Sequence, residues 1–246
     1  MIKKFLFALV FSLSIATSAQ AEMYDVVGCE LPPLMYLENE KPQGFYVDIL
    51  RAMLRNMKNT NIRIQFYPAP RMFKILSGNN NTFSLGITRN EKREQLYKWV
   101  GPIYPRIFSL FKLRDRSDIQ LGKLEDVRSC KVGVGLGYAA ADDLLKAGVP
   151  EENIEKVTTD IQNIKKLFRK RVDLIIMNDV MLAYLLKKEG HVWNDVEQVM
   201  ILNDQYEFWY AFNKSVNESV IQKFQHSLDQ LRQDGRYADI VKKYFE

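Results

Sequence analysis

The chain is 246 residues long, with 35 basic and 30 acidic side chains and a formal charge of +5. That length supports one large or two small domains with real cores. The basic excess is mild and spread along the chain, without the dense stripe that nucleic acid requires, so nucleic acid is excluded as a partner. His191 and His226 lie far apart, no His/Cys cluster has metal spacing, and neither a Gly-x-Ser-x-Gly elbow nor a P-loop occurs. No metal and no cofactor is therefore expected.

Residues Met1–Ala21 read as a secretory signal: Lys3 and Lys4 start it, Phe5–Ile15 is its apolar middle, and Ala19-Gln20-Ala21 is its small-residue exit. The apolar run is too short to span a membrane. The mature chain is expected to be exported and soluble. Tyr24–Gly28 follows as a short apolar strand, then a loop with Cys29, Glu30, Pro32, Pro33 and Tyr36. Val26-Val27-Gly28-Cys29 imitates a lipoprotein box, but Glu22 and Asp25 separate it from the apolar segment, so it reads as a strand end. Glu38–Gln43 is polar and turn-like. From Gly44, the spacing of Leu50, Met53, Leu54 and Met57 predicts a helix with one buried face, and Asp48 suits its first turn.

Ile62–Tyr67 alternates as a strand, Pro68-Ala69-Pro70-Arg71 opens a second helix through Leu76, and Thr82–Ile87 is the next strand. It ends in a polar turn carrying Thr88, Arg89, Asn90 and Arg93. A hydroxyl, an amide and a guanidinium past a strand end suit a carboxylate, because the Arg fork matches two oxygens. The same residues also read as a solvated charged loop. The β-α-β-α-β order predicts a parallel sheet with right-handed crossovers, and ligands of such sheets sit beyond the carboxyl ends of the strands. Glu30, Tyr67, Arg71, Thr88, Asn90 and Arg93 all map to that edge. Arg71 reads equally well as a plain helix-start arginine.

Arg106–Leu113 is an extended apolar run that should cross into a second lobe. Lys131–Gly135 is a strand, and a helix starts at Gly137-Tyr138-Ala139-Ala140. The glycines 133, 135 and 137 fail as a dinucleotide fingerprint because Tyr138 stands at the third glycine position. An exposed helix N-terminus able to hold an anionic group is the better reading. Asn153–Val157 is a candidate strand. A helix with Ile161, Ile164, Leu167 and Phe168 on one face leads to the buried strand Leu174–Met177, and Asp179 reads as the N-cap of a helix over Val180–Lys188. Gln198–Leu202 and Glu207–Phe212 are extended, the second returning to the first lobe. Glu218–Glu246 closes the chain as helix, interrupted at Gly235. Two cysteines in an exported chain invite a disulfide. Here Cys29 falls at the cleft and Cys130 at the far end of the other lobe, so two free thiols are expected.

Thr88-x-Asn90-x-x-Arg93 resembles the T-x-T-x-x-R segment of the type II periplasmic solute-binding proteins, the amino-acid-binding family that feeds ABC importers, with Asn90 replacing the second Thr. Trp99-Val100-Gly101-Pro102, the Pro32-Pro33…Tyr36 entry, Gly44-Phe45-x-x-Asp48, the Gly137-Tyr138 turn, Arg171-Val172-Asp173 and the C-terminal tail extend the likeness over nearly the whole mature chain. The resemblance implies an α/β fold of two lobes, each a mainly parallel sheet flanked by helices, joined by two extended hinge crossings. Residues 22–110 and 211–246 would form the first lobe and 111–210 the second, closing on a ligand in the cleft.

It further implies that Thr88, Asn90 and Arg93 anchor a carboxylate from the first lobe, met by backbone N–H groups near Gly137 and Tyr138. One branch of the family places an arginine at the position of Arg71. Tyr36, Tyr67 and Tyr138 would pack the ligand body. The family's ammonium-binding Asp falls here on Asn178, with Asp179 one place later, so Asp179, Asn178 or Glu30 would meet a cationic or donor group. The resemblance thus implies a non-enzymatic, monomeric periplasmic protein that captures an amino acid or related carboxylate and delivers it to an ABC permease. Alternatives are a periplasmic enzyme on the same scaffold, such as a cyclic-carboxylate dehydratase with Glu30 as its acid or base, and a sensory ligand-binding protein docked to a membrane kinase.

Overall fold

The computed structural model describes residues 23–57 and 61–245, so the expected signal segment lies outside the described residues. β1 (Tyr24–Gly28) starts the sheet. The stretch read as a turn is a small hairpin of β2 (Tyr36–Glu38) and β3 (Lys41–Gln43). Its two loop residues, Asn39 and Glu40, have φ of 49° and 61°, the twist that closes a two-residue hairpin. α1 (Phe45–Asn56) buries Phe45, Tyr46, Ile49, Leu50, Met53 and Leu54, as the helical spacing predicts. Gly44 before it is required: at φ 114°, an added Cβ would sit 2.5 Å from the Leu34 carbonyl oxygen.

β4 (Ile62–Phe66), α2 (Ala69–Gly78) and β5 (Thr82–Thr88) complete the first β-α-β-α-β run. β1 lies between β4 and β5 and is parallel to both. The short α3 (Glu91–Glu94) then leads into β6 (Lys98–Leu113), longer than the predicted crossing. The second half repeats the alternation: β7 (Val132–Gly135), α4 (Ala139–Lys146), β8 (Ile154–Val157), α5 (Asp160–Phe168), β9 (Leu174–Met177) and α6 (Asp179–Lys188). β7 is parallel to β8 and β9. The helix α6 begins one residue earlier than expected, and Asn178 is its N-cap in place of Asp179. An amide oxygen caps as well as a carboxylate, and here it reaches two backbone N–H groups.

β10 (Val196–Phe212) joins what the sequence presents as two separate extended segments. It pairs antiparallel with β6 from Val196–Leu113 to Phe212–Lys98, so the two crossings bind each other and the halves share one curled sheet of order β4-β1-β5-β10-β6-β9-β7-β8. α7 (Glu218–Gln233) and α8 (Arg236–Phe245) pack back on α1, with Gly235 at φ 87° breaking the helix between them. Phe83 stacks on Phe212 at 4.4 Å, and the Tyr210 hydroxyl donates to the Tyr46 carbonyl at 2.6 Å, tying the returning strand to the first core. Cys29 and Cys130 are both buried and free. Among the described residues no helix is long and apolar enough to cross a membrane.

Candidate functional site

The carboxyl ends of β1, β4 and β5 present Cys29–Glu30, Tyr67–Ala69 and Thr88–Asn90. Those of β7, β8 and β9 present Leu136–Tyr138, Thr158–Asp160 and Asn178–Asp179. Parallel alternation forces these segments onto strand tips. The curl of the shared sheet turns the two sets toward each other, and the seam holds two adjoining cavities. The inner one, of about 50 Å³, is walled by Thr88, Arg93, Phe73 and Met72 on one side and by Gly137, Tyr138, Ala140 and Met181 on the other. The outer one, of about 420 Å³, is walled by Glu30, Tyr36, Glu38 and Tyr67 against Tyr138, Asp160, Tyr184 and Lys188. Cys29, Ala69 and Tyr138 belong to both and form the partition.

Arg93 spans the seam. Its Nη1 donates to the Thr88 carbonyl at 3.4 Å and its Nη2 to the Gly137 carbonyl on the far side at 3.1 Å, while its carbon lies 4.6 Å from the centre of the Phe73 ring. Both acceptors are neutral, and desolvation lowers its pKa. Asn90 caps the short helix that carries Arg93: its Oδ1 accepts from the Arg93 backbone N–H at 3.2 Å. Asn90 therefore aims Arg93 and does not line the inner cavity. The neighbouring Arg89 turns away into a two-pronged pair with Glu94, with both bonds at 2.7 Å, and lies over Trp209.

Gly137 and Tyr138 line the inner cavity, and the Tyr138 hydroxyl donates to Asp160 Oδ2 at 3.1 Å. Burial pushes the Asp160 carboxyl up to about 6, with the Tyr138 bond pulling it back. Burial also raises the Cys29 thiol to about 12, so it is a thiol and not a thiolate at neutral pH. Glu30, Tyr36 and Tyr67 line the outer cavity, where Glu30 Oε1 accepts from the Leu37 N–H at 3.2 Å. Arg71 lines neither cavity: it is exposed, with its guanidinium carbon 4.8 Å from the Tyr67 ring centre.

Asn178 and Asp179 line neither cavity. Asn178 is buried, its Oδ1 occupied by the Val180 and Met181 N–H groups and its Nδ2 by the Ile107 carbonyl at 3.2 Å. Asp179 is exposed and accepts from the Val180 N–H. Sequence reasoning missed two groups. Arg106 is 1% exposed and walls the inner cavity, its Nη2 donating to Asp143 Oδ2 at 2.7 Å. It stood at the head of an apolar extended run, and a charge in that place was the available signal. Asp160 sits in the first turn of α5, where an acidic residue passes for an ordinary helix start. Among the described residues no group of three or more His, Cys, Asp and Glu could hold a metal ion.

A cleft across the strand tips of two α/β halves, joined by paired crossings, places the molecule in the class of type II periplasmic binding proteins. The model of bacterial extracellular solute-binding proteins, family 3, matches residues 26–246, and the chain belongs to that family. The probable amino-acid-binding protein YxeM of Bacillus subtilis (strain 168) is 25% identical over 217 residues, covering 87% of this chain and 80% of that protein. A histidine kinase sensor domain with similarity to periplasmic binding proteins superposes with a TM-score of 0.82 at 22% identity, covering 91% of this chain and 96% of that one. An ancestral arginine-binding protein bound to arginine gives a TM-score of 0.79 at 20% identity, covering 91% and 98%. At these identities the two solved structures speak for the fold.

Proposed function

We propose that the chain captures a small carboxylate-bearing ligand, an amino acid or a related acid, between two lobes in the periplasm and delivers it as a monomer to an ABC-type importer. The lobes would comprise residues 22–110 with 211–246, and 111–210. The hinge would fall where β6 and β10 pair mainly with each other, around Tyr104–Phe208 and Phe108–Asn203. The reading rests on one observation above all: Arg93 reaches across the seam to the Gly137 carbonyl beside a cavity walled from both sides. A guanidinium held by two neutral carbonyls is ready to exchange one of them for a carboxylate, which binds it more strongly. Closure around that contact would couple ligand capture to the relative position of the lobes.

Thr88, Gly137 and Tyr138 would complete the inner site, while Glu30, Tyr36 and Tyr67 would meet a longer ligand in the outer cavity. The matching relative is named for amino-acid binding, and this is the origin of the ligand class. Arg93→Ala is expected to lower affinity for any bound carboxylate at least a hundredfold in titration calorimetry, with the melting curve of the free protein retained. Equal affinity in wild type and variant would remove Arg93 from the site. A sensory role is the second reading, favoured by the fold shared with the kinase sensor domain. Crosslinking in whole membranes separates the two by the partner captured, a permease or a kinase.

A further inference from the structure

The inner cavity holds a second guanidinium that the family motif does not include. Arg106 is 1% exposed, and its Nη2 is paired with Asp143 at 2.7 Å. Its Nη1 is fully buried and has no hydrogen-bond partner among the described residues. Buried charged donors are almost always satisfied, and each exception calls for a missing acceptor. Arg106 and Arg93 both wall the inner cavity, and each guanidinium lies against an aromatic ring: Phe108 at 4.3 Å for Arg106 and Phe73 at 4.6 Å for Arg93. They are close enough that the charge on Arg106 helps lower the pKa of Arg93. Asp143 balances Arg106, and Asn203 also donates to it at 3.1 Å. Arg93 has no ion-pair partner among the described residues: its side-chain hydrogen bonds go to two backbone carbonyls, and the Asp142 carboxylate acts on it only from a distance.

Among the described residues no acidic one lines the inner cavity. At the exit of β9 the amide of Asn178 is committed to the α6 N-terminus and to the Ile107 carbonyl, and Asp179 is exposed. An α-ammonium group placed beside Arg93 would therefore meet two like charges within the inner cavity, while the seam carboxylate of Asp160 lies on the outer side of the Tyr138 partition and is committed to the Tyr138 hydroxyl, an arrangement that disfavours the ammonium. The remaining wall is apolar, built from Met72, Ile87, Phe108, Met181 and Phe208. A volume of about 50 Å³ suits a carboxylate head, with any longer body continuing past the Tyr138 partition.

We propose that the cleft selects organic acids lacking an α-ammonium group, such as 2-oxo acids, with the carboxylate shared between Arg93 and the free Nη1 of Arg106. This rests on the capture reading above and narrows its ligand class. The test is titration calorimetry of the purified mature chain with three matched pairs: 4-methyl-2-oxopentanoate and leucine, phenylpyruvate and phenylalanine, 2-oxoglutarate and glutamate. At least one oxo acid is expected to bind ten times or more tighter than its amino counterpart. The double variant Arg106→Gln/Asp143→Asn leaves neither buried charge alone. It is expected to keep a cooperative melt and to lose at least tenfold in oxo-acid affinity.

Asp143→Asn alone, which removes the counter-charge, is expected to hold or tighten that affinity. Tighter binding of an amino acid than of its oxo partner, with the double variant unchanged, would overturn the selection while leaving capture intact. Binding of neither class would sink the capture reading, and this inference with it.

Discussion

Asp160 is buried at the seam, where its side chain accepts from the hydroxyl of Tyr138. Its carboxyl titrates near 6 in the folded protein against 3.8 when free. Between those values the folded state holds the proton that the unfolded chain has released, so this group contributes stability at low pH that is lost as pH rises through about 6. Asp160→Asn keeps an acceptor for Tyr138 and removes the charge. It is expected to stabilise the protein at pH 7, by up to roughly 3 kcal/mol, and to flatten the wild-type decline over the window. Urea denaturation at pH 4.5 and pH 7 measures both, and a variant as steep as wild type would exclude Asp160 as the source. At the same scale, Arg106 reads in the sequence as the edge of an apolar strand, and only the fold shows it buried against Asp143 in the wall of the inner cavity.

At the level of elements, the exit of β9 decides how the site is built. Asn178 closes the N-terminus of α6 with two backbone bonds and ties it to β6 through the Ile107 carbonyl. Replacing it with Ala is expected to cost about 1–2 kcal/mol of stability for the lost cap, seen as a lower melting temperature, with affinity for the bound acid changed less than threefold. A large loss of affinity at unchanged stability would instead assign Asn178 to the ligand. The turn after β5 follows the same logic. Asn90, which reads as a ligand donor, caps the helix turn that carries Arg93. Element positions were legible because apolar spacing is local: β1 and β9 span the predicted residues, α2 forms over the expected stretch, and α1 and α5 bury the centres of the predicted faces, Leu50, Met53 and Leu54 in one and Ile164 and Leu167 in the other. The use made of a polar side chain at an element's end depends on neighbours distant in sequence, and there the reading diverged.

At the scale of the molecule, β6 and β10 carry both halves in one sheet, and their pairing is irregular between Ile201 and Asn203, Asn203 and Tyr206, and Phe208 and Tyr210. Such bulges bend a ribbon and increase its local twist. Spin labels at Leu37→Cys and Lys188→Cys, on facing walls of the outer cavity, are expected to report a broad distance distribution in free protein. That distribution should collapse to its short component on ligand binding. Distributions that superpose with and without saturating ligand would rule out hinge closure. The alternation of strands and helices and the arrival of Thr88 and Arg93 at a strand tip were determined by the sequence itself, because each follows from short-range periodicity and spacing; the family was legible there too, through the resemblance of motifs such as Thr88-x-Asn90-x-x-Arg93. Tertiary structure alone decided that the crossings pair into a single curled sheet, that Tyr138 divides the cleft, and that Arg106 joins Arg93 in the wall of an inner cavity lined, among the described residues, by no carboxylate. These depend on contacts between segments far apart in the chain, and the energy of a buried charge is set by what the fold brings around it.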